Sequence, residues 1–170
     1  MTLEEQKEIQ QLKQWLMQSQ HQSVISGCND ILLRAREQLG VSQNILKEVL
    51  YLKAVAYRLL ADVNSAIETL NELIAYVPNY ARAYQELGYC YLAADSKKAA
   101  HSFYQATRFN PALLTAWLQL EKVYKADNQP QALALCQQQI AFLTSLPKPL
   151  LGATDLMHEG QLHKAEQVCR

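Results

Sequence analysis

The side chains best able to do covalent or metal chemistry are 4 cysteines, at 28, 90, 136 and 169, and a few histidines. The cysteines show no CxxC spacing, so they offer none of the half-sites from which a structural zinc is built. No secretory leader precedes them. The sequence therefore predicts reduced packing residues in a cytoplasmic protein, with disulfides or a metal as the competing reading. His158 and His163 flank the last predicted turn, close to Glu159 and Cys169. A helical metal site would need histidines at i and i+4, and these are not, so solvated turn histidines are expected. His101 falls on an exposed helix face without an acid or base beside it. Gly27, Gly40, Gly88, Gly152 and Gly160 never approach the GxxxxGK or GxGxxG spacings that cradle phosphates. No cysteine or serine pairs with a histidine as a nucleophile would. The residues predict no enzyme, no cofactor and no metal, which leaves recognition.

Recognition needs a surface, and the elements that would build one repeat along the chain. Residues 78–111 read as two amphipathic helices joined by a tight turn and closed at each end by proline. Tyr84, Leu87, Gly88 and Tyr91 share one face of the first helix. Ala99, Phe103 and Ala106 share one face of the second, after a break at Asp95-Ser96. Shifting this pattern by 33 or 34 residues makes the key positions recur. Tyr84 maps to Trp117 and back to Leu50, Tyr91 to Tyr124 and back to Tyr57, and Gly88 back to Ala54. Ala99 maps to Ala132 and Ala165 and back to Ala66, while Phe103 maps to Cys136 and Cys169 and back to Leu70. A fixed period of this size predicts stacked helical hairpins, since one hairpin cannot bury its apolar face alone. Small residues at Ala54 and Gly88 leave room for close helix approach. Proline ends the second helix because the residue before it is pushed out of the α region.

An aromatic or leucine at the fourth place, a small residue at the eighth, Tyr at the eleventh, Ala at the twentieth and Pro near the end resembles the tetratricopeptide repeat (TPR). That resemblance, with the period, predicts an all-α right-handed solenoid of about five helix-turn-helix hairpins, about ten helices. Residues 1–40 form a degenerate first hairpin. Thr2-Leu3-Glu4-Glu5 is a capping box, Ile9, Leu12 and Leu16 an apolar stripe with Trp15 at its edge, and a second helix runs over about 22–38. This pair lacks a clear small position, and the link Leu39-Gly40-Val41-Ser42 changes the register. Gln6, Gln10, Gln11, Gln14, Gln18 and Gln20 suit the solvent-facing end of a solenoid. Repeats follow at 45–77, 80–110 and 113–144. In the last of these Glu121 takes the small place, which predicts looser or rotated packing, and Pro130 sits in a first helical turn after Asn128 or Gln129. Residues 148–170 read as an incomplete last repeat, with Gly160 at its turn and an uncovered apolar end favouring fraying or self-association. The stretch 128–147 lacks charge but is interrupted by amides and Pro130, so it is expected to be a solenoid helix and not a membrane span.

The resemblance also implies where a partner would lie. The second, fifth, ninth and twelfth places of each first helix face the concave groove. They hold Glu48, Tyr51, Val55 and Arg58, then Arg82, Gln85, Tyr89 and Leu92, then Thr115, Leu118, Lys122 and Lys125. Tyr51, Arg58, Arg82, Gln85, Tyr89, Leu118, Lys122 and Lys125 are thus the candidate partner-binding residues. Aromatics and Arg are the groups that anchor peptides at interfaces. The excess of cations over Glu48 predicts an acidic partner segment, against a solvated face that binds nothing. Tyr57, Tyr84, Tyr91 and Tyr124 take packing places. The Lys and Asn clamp by which some TPR domains grip chaperone C-termini is absent, because its places hold Tyr51, Val55 and Glu86, then Thr115 and Gln119.

The runs YLKAVAYRLL, PNYARAYQELG, NPALLTAW and LPKPLLGATDLMHEGQLHKAEQVCR resemble the N-terminal repeat region of bacterial TPR-containing sulfotransferases, without any donor-binding motif of the transferase itself. Three functions are therefore expected. The leading one is a non-catalytic protein- or peptide-binding scaffold. The others are a substrate-presenting region of a larger sulfotransferase and a structural scaffold assembling through its ends. Net charge is zero, from 16 basic and 16 acidic residues, so no nucleic acid is expected, nor a membrane.

Overall fold

A computed structural model describes residues 2–37 and 43–169. Those residues form ten helices and no strand. The chain divides into two compact units, Met1–Pro78 and Asn79–Arg170.

The first unit holds α1 (Leu3–Met17), α2 (His21–Arg36), α3 (Gln43–Leu59) and α4 (Val63–Tyr76). Helix α1 opens on the expected capping box. The Thr2 amide donates to the Glu5 carboxylate at 2.7 Å, and the Glu5 amide donates to Thr2 Oγ1 at 3.2 Å. Ile9 and Leu12 are buried, and all six glutamines of the expected end surface are exposed. Ile9 and Leu12 pack with Val24, Cys28, Ile31, Ile45, Val49 and Leu52 into one core. The first hairpin does have a small position, contrary to expectation, but on its second helix. A Cβ at Gly27 would stand 2.8 Å from a Leu12 methyl and 3.0 Å from the Trp15 ring. The link Leu39-Gly40-Val41-Ser42 lies outside the described residues. Asp62 caps α4, accepting from the Ser65 amide at 3.2 Å.

The second unit holds α5 (Ala81–Tyr91), α6 (Ser96–Phe109), α7 (Leu114–Ala126), α8 (Pro130–Ser145), α9 (Lys148–His158) and α10 (Leu162–Cys169). Asp95, one period after Asp62, caps α6 by accepting from the Lys98 amide at 3.0 Å. That bond, more than the nearby Lys98 charge, holds the Asp95 carboxyl below its ordinary range. Gly160 carries the last hairpin turn at φ +75°, where a side chain would be strained. The core gathers Ala99, Phe103, Ala106, Leu113, Ala116, Leu120 and Cys136, with Tyr84, Tyr91, Trp117 and Tyr124 packed against it.

Ala66, Ala99 and Ala165 are buried as the repeat requires, whereas Ala132 is only half-buried. The fourth hairpin is the exception that Glu121 foreshadows. Its carboxylate accepts from Gln137 Nε2 across the α7–α8 contact at 3.2 Å, a polar link where the third hairpin has Gly88 against Phe103. A fully buried Ala99 and an exposed Ala94 give the first prediction. Ala99→Leu should cost about 2 kcal/mol, a typical overpacking cost, and Ala94→Leu a few tenths at most. Equal midpoints for the two variants in urea denaturation would refute the helix crossing placed at Ala99.

Candidate binding groove

The period brings equivalent places of three successive first helices, α5, α7 and α9, to one site within the second unit. Second-place residues Arg82 and Thr115 are joined there by Lys148, one period further on, and fifth-place Leu118 is followed by Leu151. A cavity of about 350 Å³ is lined by Arg82, Ala112, Leu113, Leu114, Thr115, Lys148, Leu151, Gly152 and Asp155. Its wall is mostly apolar, with two cations and one carboxylate. Gly152 faces open space, with no neighbouring atom within 4 Å of where a Cβ would stand.

The candidate residues fall into engaged and accessible groups. Arg82, half-buried, makes two ion pairs within the chain: Nη2 donates to Asp155 Oδ2 at 2.7 Å, and Nε donates to Glu159. Asn110 Nδ2 donates to the second oxygen of Asp155 at 2.6 Å, and Asn110 Oδ1 accepts from the Ala112 amide at 3.0 Å. Gln85 is buried and accepts from the Thr115 hydroxyl at 3.0 Å, tying α5 to α7. Tyr89 stands edge-on to the Phe103 ring, with centroids 5.3 Å apart at 80°, so half of it belongs to the core. Leu118 is half-buried. Lys122 and Lys125 are exposed and have no ion pair among the described residues.

In the first unit Tyr51 packs against the core and Arg58 is half-buried. Glu48 pairs with Lys13 at 3.0 Å. The balance of charge at the second unit's site therefore differs from the expected one, because Asp155 and Glu159 add two carboxylates. The signal for Asp155 is present in the chain. It lies one period beyond Lys122, at the ninth place of the fifth repeat, and Glu159 follows four residues later on the same helical face.

Burial pushes the Cys28 thiol up to about 12, with Lys53 opposing weakly, and the Cys136 thiol up to about 11, with the Glu121 charge adding to the effect. Both are protonated at neutral pH and unreactive. Cys90 is buried and Cys169 exposed. His101, His158 and His163 are exposed, and no cluster of metal-ligating side chains occurs among the described residues. No helix of the described residues is long and apolar enough to cross a membrane.

Comparison with known proteins places this geometry in a fold. A crystal structure of MamA protein matches with a TM-score of 0.66 at 15% identity, over 96% of this chain and 87% of that one. A crystal structure of a Podosopora anserina putative kinesin light chain with nearly identical TPR-like repeats matches with a TM-score of 0.65 at 18% identity, over 96% of this chain and 90% of that one. No family model and no curated protein matches. The likeness is one of fold: an all-α TPR-type solenoid.

Proposed function

We propose that the chain is a non-catalytic scaffold that binds an extended, acidic peptide segment along the first-helix face of its second unit. The observation that carries this reading is the cavity of about 350 Å³ at equivalent places of three successive repeats. Its apolar lining suits an aliphatic or aromatic anchor. Arg82, Lys148 and the exposed Lys122 and Lys125 suit flanking carboxylates. The fold of its neighbours supports protein binding in general. The sulfotransferase resemblance of the repeat runs supports a finer version, in which the captured segment is a substrate of a sulfotransferase.

The test uses a short fluorescein-labelled peptide of alternating Glu and Leu, read by fluorescence anisotropy. Lys122→Glu with Lys125→Glu should weaken binding by more than about tenfold, or 1.4 kcal/mol, at unchanged helicity, since both side chains are exposed. Wild-type affinity should fall as added salt shortens the Debye length from about 10 Å towards about 3 Å. Unchanged capture by the double variant would move the site off this face. A second reading, assembly through the last hairpin, is favoured by the exposure of Leu150, Met157, Leu162 and Val168 on α9 and α10. Mass that rises with concentration in light scattering, together with no peptide capture, would select it.

A further inference from the structure

Within the second unit the last hairpin is attached differently from the one before it. Helices α5, α6 and α7 each pack closely against the next, whereas α9 packs closely along its length only with α10. The tie from α9 to α5 is polar. Arg82 is shared between Asp155 and Glu159, Asn110 holds the other oxygen of Asp155, and Gln161 Nε2 holds the other oxygen of Glu159 at 2.7 Å. Two carboxylates four residues apart, Asp155 in α9 and Glu159 at its C-cap, thus grip the cation that stands at the second groove place of α5 and lines the cavity.

We infer that the C-terminal end of α9 is an autoinhibitory element: Asp155 and Glu159 hold Arg82 in cis as a mimic of an acidic partner, and a partner segment binds fully only when that end, with α10, lets go of Arg82, while Lys148 and Leu151 at the start of α9 go on lining the cavity. The inference rests on the acidic-peptide reading above and adds its regulation. Exchanging one carboxylate for another at the same guanidinium leaves the local bonding nearly equal. The difference is that the internal acids are tethered and present at high effective concentration. A partner must then overcome that advantage, and its apparent affinity is reduced by the fraction of molecules with Arg82 open. Few close contacts between α9 and the helices before it keep that opening within reach of local fluctuation.

The same Glu-Leu peptide tests this on the full chain. Asp155→Asn with Glu159→Gln removes both mimics while keeping the side-chain shapes, and should bind about tenfold tighter than wild type. Adding Arg82→Gln to that pair should cancel the gain. Hydrogen exchange on unmutated protein gives an independent readout: bound peptide should accelerate exchange over 155–169 while slowing it in α5 and α7. Equal affinity of wild type and the double variant, with binding still lost on reversal of Lys122 and Lys125, would overturn the autoinhibitory contact and leave the groove reading intact. Peptide bound to wild type with protection over 155–169 unchanged would overturn it too. No binding to any variant would overturn both readings together.

Discussion

Phe103→Ala is expected to be the most destabilising single truncation in the second unit, costing about 3–5 kcal/mol. Phe103 is completely buried and is the largest of the fully buried side chains. The cost depends on whether neighbours can fill the vacated space, and here they cannot. Opposite the ring stands Gly88, which has no side chain to lean in, and the backbone of α5 is fixed by its own hydrogen bonds. On another side Tyr89 meets the ring edge-on at a centroid distance of 5.3 Å. Loss of Phe103 therefore leaves a void and frees an aromatic that the groove and the core of the second unit share. Against a total stability of about 5–15 kcal/mol for a typical domain, such a loss is a large fraction. Urea denaturation followed by far-UV circular dichroism would measure it. A cost below about 1 kcal/mol would mean that the site collapses, and that the α5–α6 contact is less rigid than its geometry. Weakened peptide binding by folded Phe103→Ala, at temperatures where helicity is intact, would show that Tyr89 needs the ring behind it.

Much of this architecture is legible in the sequence because the signals are local and repeated. The helical period, the proline closures and the Asp95-Ser96 break each act within a few residues, and each is one copy of a pattern. Asp62 and Asp95 cap the second helices of consecutive hairpins for the same reason. Gly88 is legible as a small place, and the structure gives its cause in the Phe103 ring. Gly27 escapes the pattern because the first hairpin puts its small residue on the opposite helix, so the period predicts the wrong member of the pair. Glu121 departs from the pattern visibly, yet the sequence does not say what replaces the lost contact. Its partner Gln137 lies on an amide-rich helix where any of several glutamines could serve.

The groove is less legible than the core. Which side chains face a shared surface follows from the repeat, but which of them are already bonded does not. Arg82 meets acids 73 and 77 residues away, a pairing set by how the last hairpin lies and not by any local preference. Carrying the period one repeat further reaches Asp155 and would have exposed the conflict: the ninth place is Tyr89, then Lys122, then a carboxylate. A count of groove charges that stops at the fourth repeat therefore finds an excess of cations that the folded unit partly cancels within itself.

Gly88→Ala should destabilise the second unit by about 3 kcal/mol, the upper end of ordinary overpacking costs, and Phe103→Leu should restore most of that loss. In an unhindered helix the same replacement would be favourable by about 0.5–1 kcal/mol, because glycine is a poor helix former. Here the added methyl would stand 2.6–2.7 Å from three atoms of a fully buried ring, well inside contact distance. The ring cannot retreat, since Tyr89 stands against it. The repeat itself supplies the remedy. One period earlier the same two places hold Ala54 and Leu70, both completely buried, and one period later they hold Glu121 and Cys136. Size on the first helix rises as size on the second falls, so the crossing conserves the pair's bulk while the identities drift. Gly88→Ala with Phe103→Leu transplants the second hairpin's pair into the third. A double-mutant cycle should then give a favourable coupling of about 2 kcal/mol between the two substitutions, within the range for residues in direct contact. Additive single effects would show that the two places do not compensate each other, and that the inverse sizes along the chain are coincidence.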